Sequence, residues 1–347
     1  MPAGGRDRNT VFGPYRRGFW PFLISQAMTI IELNLDLRAA ERSSIVLDAI
    51  DPACGLGAAM RRLAVEIDEL YEETLAIPSD RRDRLYKAMR YAAVGGGKRL
   101  RPLLVVASGD LFGVPRKQTV SAGLAVECVH VQSLIHDDLP CMDDDDIRRG
   151  KPALHRAFDE ATAVLAGDAL LVLAFEILAA PRTYPDPEVR TELIAKLAQA
   201  AGAPGMAGGQ MLDILAQSGG VDVAAVTELQ GLKTGALFGW CVEAGAIMGR
   251  APQQLRAELR GYAHCLGLAF QIADDLLDPG DRNPFLGKRI GKYGVQQKAT
   301  LDSLLGRDRA RRQAERLVEQ AIDHLESFGQ EAELLHEIIR FAVARVH

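Results

Sequence analysis

The sequence has few cysteines and no excess of positive charge. Its 347 residues include five cysteines, an odd number without a C-x-x-C pair, so neither a disulfide framework nor a thiolate zinc site is indicated. Forty-one Lys and Arg against 46 Asp and Glu give a net charge of -5, which argues against a nucleic-acid-binding protein. We therefore expect a cytoplasmic protein that does not bind nucleic acid.

Long uninterrupted apolar runs are also missing. A membrane-spanning helix needs about 20 largely apolar residues, whereas the stretch Ala169–Ala180 contains Glu176. The apolar segment near the amino terminus is interrupted by Pro21 and Gln26, and no small-residue cleavage pattern follows it, unlike in a signal peptide. We therefore expect no membrane span, and we interpret residues 1–56 as an N-terminal extension or the product of a misassigned start.

Apolar residues recur at helical spacing through the rest of the chain. With 48% hydrophobic and 25% charged residues, the composition is that of a globular enzyme with a large core. No window shows the alternation of a half-buried strand, and Gly and Pro interrupt the helical pattern at several points. The clearest helical windows are Leu124–Ile135, Thr162–Leu178, Thr191–Ala201, Val223–Met248, Pro252–Leu277 and Ala310–Phe328. We predict one all-α domain over residues 57–347.

Two acidic clusters follow apolar helical stretches. In the first, Pro140 disfavours helical geometry at the preceding residue, which predicts that the helix opens after Asp138 and that the loop brings Asp143 back toward Asp137. In the second cluster, residues 274 and 278 are both Asp and share one face of a helix, because they are four residues apart. Carboxylates of this kind, together with substrate phosphate oxygens, are typical ligands of Mg²⁺.

A solvated loop is the simpler explanation of an isolated acidic run. Here each cluster closes an apolar helix, where charges without a cation would be costly to bury. An EF-hand is not supported, because the D-x-D-x-D-G loop with its twelfth-position Glu is missing. We therefore favour a metal site over a solvated surface loop.

Basic groups occur close to these clusters in the sequence. The segment Gly95–Pro102 joins a glycine turn to Lys98, Arg99 and Arg101, but Arg99 occupies the Ser/Thr position of a P-loop, so nucleotide hydrolysis is not supported. Guanidinium groups bind phosphate bidentately. Each cation taken singly is more often a surface residue. Further donors are Arg148, Arg149, Lys151, Lys233, Gln271, Lys288 and Lys298. Together the basic and acidic groups predict two phosphorylated substrates bound side by side, one through Mg²⁺ and one directly.

These motifs resemble the trans-prenyl diphosphate synthases, the head-to-tail isoprenoid chain elongases that include farnesyl and geranylgeranyl diphosphate synthases. The resemblance covers roughly residues 58–347 and implies the isoprenoid synthase fold, a bundle of roughly ten or more helices around a deep central cavity, and a homodimer. The motifs that carry it, in family order, are Gly96 to Pro102, Glu127 to His130, Asp137 to Asp143 with Arg148 to Gly150, Ala166 to Leu170, Gly208 to Gln210, Lys233 to Gly235 and Gln271 to Asp278.

The resemblance also implies a reaction and a role for each matching residue. Isopentenyl diphosphate would be added to dimethylallyl, geranyl or farnesyl diphosphate, and the departing diphosphate would accept the proton, so no dedicated base is assigned. The resemblance implies three Mg²⁺ ions, and their implied ligands are Asp137, Asp143, Asp274 and Asp278. The implied ligands of the allylic diphosphate are Arg148, Lys233 and Lys288, and those of isopentenyl diphosphate are Lys98, Arg101, His130 and Arg149. The implied catalytic residues are Lys233, Thr234, Gln271 and Lys288.

Product length depends on the residues upstream of the first acidic motif. One helical turn rises 5.4 Å, so each isoprene unit of a tail lying along this helix takes up about one turn. Many farnesyl synthases carry an aromatic residue four or five positions before the first Asp, where this chain has Ser133 and Gln132. We therefore favour a C20 product, with C15 as the close alternative.

Two other functions fit an all-α chain with Asp-rich motifs. A class I terpene cyclase usually carries an N/S/E-type second metal motif and lacks an isopentenyl site, unlike this sequence. A non-catalytic subunit of a heteromeric synthase tends to have lost its Asp motifs, whereas both are present here. We keep both functions as alternatives to the elongase.

Overall fold

The computed structural model describes residues 55–216, 222–277 and 306–344. Its α-helices in chain order are α1 Gly55–Thr74, α2 Asp83–Ala93, α3 Leu100–Asp110, α4 Arg116–Asp137, α5 Leu154–Ala157, α6 Glu160–Ala179, α7 Pro187–Ala201, α8 Met206–Ala216, α9 Val223–Gln230, α10 Ala236–Met248, α11 Gln253–Leu277, α12 Arg307–Asp323 and α13 Glu333–Ala344. A π-helical segment, Gly231–Gly235, joins α9 to α10, and a 3₁₀ segment, Glu326–Ala332, precedes α13. The all-α prediction is confirmed, and each predicted helical window falls largely on these elements.

Helices α4, α3 and α10 form the centre of the bundle. Helix α4 packs along α6 and α3, and α10 packs along α3. All three central helices bury apolar residues around most of their circumference, as expected of helices enclosed by others. The closest approach is at Gly245, where a Cβ atom would lie 2.2 Å from the Ser108 hydroxyl oxygen. The acidic end of α4 therefore projects from a rigid core.

A short β-hairpin corrects the expectation that the chain contains no strand. Strands β1 Ile147–Arg148 and β2 Lys151–Pro152 pair antiparallel, with Arg148 opposite Lys151. The two turn residues, Arg149 and Gly150, have φ values of 53° and 78°, which is the positive-φ geometry of a type I′ turn. Strands of two residues are too short to produce an alternating pattern, so the sequence carries no strand signal here.

Helix α6 is long and apolar enough, by length and composition, to cross a membrane. The expectation of no span counted only residues from 169 onward, although the helix begins at Glu160. Its first turn is capped by the Asp159 carboxylate, which accepts a hydrogen bond from the Thr162 amide at 2.7 Å. Because the helix packs along α4 and also contacts α2 and α7, it has the surroundings of a bundle helix.

Candidate active site

The first acidic cluster lies at the carboxyl end of α4. The helix ends at Asp137 with Asp138 as its C-cap, as the position of Pro140 predicts. The following loop turns back, and the Asp143 amide donates a hydrogen bond to the Asp137 carbonyl oxygen at 2.8 Å. The loop therefore returns to the helix end as the sequence predicts.

The Asp137 carboxyl group lies in an unfavourable electrostatic environment. Burial raises its pKa to about 6, Lys233 offsets part of this effect, and Asp143 raises the pKa further. A partly buried carboxylate with too little positive charge nearby is a candidate ligand for a hard cation. Across the described ranges, no three His, Cys, Asp or Glu side chains are arranged as a metal cluster. Mg²⁺ is typically held by one or two carboxylates plus substrate phosphates, so the oxygen donors at this end of α4 fit it.

The hairpin places two arginines at the same end of the bundle. The Arg148 Nε atom donates to the Asp138 carboxylate at 2.9 Å, and a second acid, Asp145, lies 3.5 Å from its guanidinium. The Arg149 side chain runs over the Gly96–Gly97 backbone, where a Cβ atom on Gly97 would lie 2.7 Å from its guanidinium. The type I′ turn thus directs Arg148 to the acidic cluster and Arg149 to the glycine turn.

The second acidic cluster lies in the last turn of α11. Gln230 and Gln271 both donate to the Asp275 carboxylate, at 3.1 and 3.2 Å. The Thr234 hydroxyl donates to the side-chain amide oxygen Oε1 of Gln271 at 3.2 Å. Thr234, Gln271 and Asp275 are therefore joined in one network. Asp274 shares this turn, whereas Asp278, Lys288 and Lys298 lie outside the described residues.

The π-helical segment carries Lys233 and Thr234. Segments of π-helix occur frequently at functional sites. The Lys233 ammonium group donates to the Asp213 carboxylate at 2.6 Å, and Asp213 is buried on α8. A Cβ atom on Gly209 would lie 2.2 Å from the Lys233 backbone nitrogen. The glycine of α8 therefore allows the backbones of the two segments to approach closely.

A second region gathers basic side chains around the partly buried Arg101. The Arg101 Nε atom is buried without a hydrogen-bond acceptor, and its guanidinium lies 5.0 Å from the centre of the Phe238 ring. Burial lowers the pKa of Arg101, while burial together with the positive charges of Arg101 and Arg149 holds the pKa of His130 well below its usual range. Neither Arg101 nor Arg149 forms an ion pair within the part of the chain that the structure describes. Arg101, His130 and Arg149 form this cationic pocket, which is suited to an anion. The predicted fourth member, Lys98, lies with its ammonium group 5.6 Å from the centre of the Phe341 ring on α13.

Arg99 has a role that the sequence does not reveal. Its side chain is 2% exposed and donates to Glu127, also 2% exposed, at 2.8 Å and to Asp68 at 2.6 Å. It also donates to the Ala93 carbonyl oxygen at 2.6 Å, and its own φ of 50° is unusual for a residue other than glycine. Arg99 therefore joins α1, α2 and α4 directly between Lys98 and Arg101.

The two predicted chain-length residues lie on the last turns of α4. The Ser133 hydroxyl donates to the His130 carbonyl oxygen of its own helix at 2.8 Å. The Gln132 amide nitrogen lies 3.0 Å from Nδ1 of His136. Both side chains are thus held against α4 rather than extended from it.

Sequence reasoning missed several residues of the site. Asp213 follows the Gly208 to Gln210 motif by three residues, and this spacing was the available signal. Asp275 lies between other acidic residues, so the sequence gives no reason to single it out. Nothing in the sequence around Gln230 or His136 indicates which residues they contact. Asp213, Asp275 and His136 each hydrogen-bond to a predicted site residue, and Gln230 hydrogen-bonds to Asp275.

The all-α bundle combines acidic helix ends with a cationic pocket, which is the arrangement of a helical protein suited to anionic ligands and a cation. The polyprenyl synthetase family profile matches residues 82–339. Farnesyl diphosphate synthase of Bacillus subtilis (strain 168) is 40% identical over 279 residues, covering 80% of this chain and 93% of the relative. Geranylgeranyl pyrophosphate synthase of Catharanthus roseus is 41% identical, covering 72% and 70%.

Solved structures agree with this assignment. The crystal structure of an FPP/GFPP synthase from Zymomonas mobilis is 55% identical, with a TM-score of 0.77, and covers 83% of this chain and 98% of that chain. The chain therefore belongs to the polyprenyl synthetase family, within the short-chain trans-prenyl diphosphate synthases. It is a prenyltransferase that elongates prenyl diphosphates.

Proposed function

We propose that this enzyme condenses isopentenyl diphosphate head to tail with an allylic diphosphate and depends on Mg²⁺. The observation that carries the proposal is the cationic pocket, in which the buried Arg101 Nε atom has no acceptor. A diphosphate would supply the missing negative charge and hydrogen-bond acceptors. Lys98, Arg101, His130 and Arg149 would therefore bind isopentenyl diphosphate directly, without a metal.

The allylic diphosphate would lie between the two acidic helix ends. Arg148 and Lys233, which now pair with Asp138 and Asp213, would donate to its oxygens. Lys288 would be a third donor. Asp137, Asp143, Asp274 and Asp278 would hold Mg²⁺, for which we propose three ions. When bound, Mg²⁺ supplies positive charge that stabilises the departing diphosphate.

The reaction then follows from charge. The allylic C–O bond breaks with both electrons leaving on the diphosphate, and Arg148 and Lys233 stabilise that negative charge. The double bond of isopentenyl diphosphate attacks the allylic carbocation to form the new C–C bond. The released diphosphate takes a proton from the resulting cation, which restores a double bond. Thr234 and Gln271, hydrogen-bonded to one another, would line the reacting centre.

We propose a C20 product, with C15 as the alternative. Neither Gln132 nor Ser133 supplies the aromatic residue that closes the tail path in many farnesyl synthases. The relatives carry both names, farnesyl diphosphate synthase in Bacillus subtilis and geranylgeranyl pyrophosphate synthase in Catharanthus roseus. Mass spectrometry of the products made from C5, C10 and C15 primers would decide between them.

We also propose one domain over residues 57–347 and a homodimer formed through α6. Large apolar side chains on this helix are exposed, with Val164 at 40%, Leu165 at 57% and Val172 at 66%. A second copy would bury them. Light scattering should give a dimer for the wild type and a monomer for Leu165→Glu. The free, exposed thiol of Cys141 fits a cytoplasmic enzyme.

The pocket assignment has a direct test. Arg101→Met should raise the KM for isopentenyl diphosphate on the order of tenfold to a hundredfold, the effect of losing a charged hydrogen bond, and leave the KM of the allylic primer nearly unchanged. Arg340→Met, at an exposed arginine of α13, is the matched control and should change neither constant. Equal effects of Arg101→Met on both KM values would contradict the assignment. No elongation by the folded wild type with any primer would favour the cyclase or partner-subunit alternative.

A further inference from the structure

A chain of hydrogen bonds links Gln132 to helix α6. Gln132 and His136 lie one turn apart on α4, with the amide nitrogen 3.0 Å from Nδ1 of the imidazole. The other ring nitrogen, Nε2, lies 3.2 Å from the Val164 carbonyl oxygen of α6. The imidazole thus connects a predicted chain-length residue to the neighbouring helix.

The partners fix the direction of both hydrogen bonds. A carbonyl oxygen only accepts, so Nε2 of His136 donates to the Val164 carbonyl oxygen. The amide nitrogen of Gln132 only donates, and since it faces Nδ1, the Nδ1 atom accepts from it. The Gln132 side chain therefore has one defined orientation, with its amide nitrogen toward His136 and its carbonyl oxygen directed away from Nδ1.

The backbone of α6 is shaped to receive this ring. A Cβ atom at Gly167 would lie 2.2 Å from Nε2 of His136, so only glycine leaves room for the imidazole. The Asp168 carboxylate is 3.9 Å from the same nitrogen. Gly167 and Asp168 belong to a motif of the family resemblance, but nothing in the proposed reaction uses them. Their contact with His136 suggests a task in holding the ring.

We propose that His136 is a positioning residue for product length: anchored to α6, it holds the Gln132 side chain along α4 and out of the path of the growing tail. This inference rests on the proposed function, in which the tail runs along α4. Without the ring, the Gln132 amide can rotate into the space beside Ser133 and shorten the path. The contact between α4 and α6 would then help to set chain length, together with the identity of residue 132.

The test compares product ratios in a double-mutant cycle. His136→Leu removes both hydrogen bonds and should lower the C20 to C15 product ratio by about threefold to tenfold, the factor that one hydrogen bond is worth. His136→Asn retains an acceptor for Gln132 and should keep the ratio closer to that of the wild type. In a Gln132→Ala background the same His136→Leu change should leave the ratio unaltered, because no amide remains to be held.

Rate and stability effects are separated from this readout. His136 is next to Asp137, so a loss of kcat is expected in both backgrounds and does not count as support. His324→Leu is the matched control, because this ring also packs on a helix glycine, Gly261, and hydrogen-bonds at 3.0 Å to Glu258. It should leave the product ratio unchanged.

The outcomes distinguish the two proposals. An unchanged ratio in an active His136→Leu enzyme, or an equal shift with and without the Gln132→Ala change, would overturn the positioning role while the elongase function stands. If His136→Leu does not fold, His136→Ala, which also removes both hydrogen bonds, takes its place in the same cycle with the same expected ratios. Failure of the wild type to elongate any primer would instead overturn the proposed function.

Discussion

Replacing Asp137 with asparagine should stabilise the metal-free protein while removing its activity. The asparagine side chain has nearly the shape of the aspartate but carries no charge. In the folded state the pKa of Asp137 is raised to about 6 from the ordinary 3.8, chiefly by burial. The ionised carboxylate therefore opposes folding, and its removal relieves that cost.

The size of the effect follows from the pKa shift. One pKa unit corresponds to about 1.4 kcal/mol, so the shift of Asp137 opposes folding by about 3 kcal/mol at most. Above pH 6 the carboxyl group is ionised in both states, and the full cost is present. As the pH falls from about 6 toward 3.8, the folded state takes up a proton first and the cost disappears. The stabilisation by Asp137→Asn should therefore be large at pH 7.5, smaller at pH 5 and absent below the unfolded pKa.

Urea denaturation in EDTA at these pH values measures the stability, and single-turnover elongation measures the activity. The variant should lose activity by on the order of a hundredfold or more, because it lacks a carboxylate proposed to hold the Mg²⁺ that stabilises the departing diphosphate. Added Mg²⁺ with a diphosphate should raise the urea midpoint of the wild type more than that of the variant.

Asp159 is the matched control for the removal of a carboxylate. Hydrogen bonds from Thr162 and Arg84 hold its pKa at about 2, and it caps α6. Asp159→Ala should therefore lower stability at pH 7.5 and leave the chemistry intact. If Asp137→Asn is instead less stable than the wild type in EDTA at pH 7.5, neighbouring cations already neutralise Asp137, and the argument for a cation site there is refuted.

Three further changes test the architecture around the site. Gly209→Ala should destabilise the protein by about 1–3 kcal/mol and lower kcat, because its Cβ atom would meet the Lys233 backbone nitrogen. Urea denaturation and steady-state kinetics measure the two effects, and wild-type stability of the variant would show that α8 can shift away from Lys233 at little cost. Arg99→Met should cost about 3–5 kcal/mol in a urea titration by leaving Glu127 buried without its partner, and adding Glu127→Gln should restore part of the loss. Lys233→Met should lower kcat with little change in the KM for isopentenyl diphosphate; the reverse pattern would contradict its allylic role.

The sequence carried enough information for the helices and for the end of α4, because helical periodicity and Pro140 act locally. The motifs also included Arg101, His130 and Arg149, which the structure brings together; their binding roles remain predictions. The roles of the two arginines in the segment Gly95–Pro102 could not be predicted, because nothing in the local sequence distinguishes them. Arg99 is buried and paired with acidic residues, whereas the Nε atom of Arg101 lacks a hydrogen-bond partner. The pairing of Lys233 with Asp213 depends on how α8 packs, which a single sequence does not determine. The roles assigned to Asp278 and Lys288 remain predictions.

The π-helical segment holds one residue more than a regular helix would need at this point. Helices α9 and α10 continue one into the other through Gly231–Gly235, and a π-turn bonds residue i to i+5, whereas an α-turn bonds i to i+4. Deleting one residue from the segment would therefore leave regular α-helix and keep α10 in phase with α9, so that Phe238 and Trp240 stay in the core. The deletion would remove only the local bulge that carries Lys233 and Thr234. A single-residue deletion here should therefore reduce activity far more than it reduces the stability of the fold.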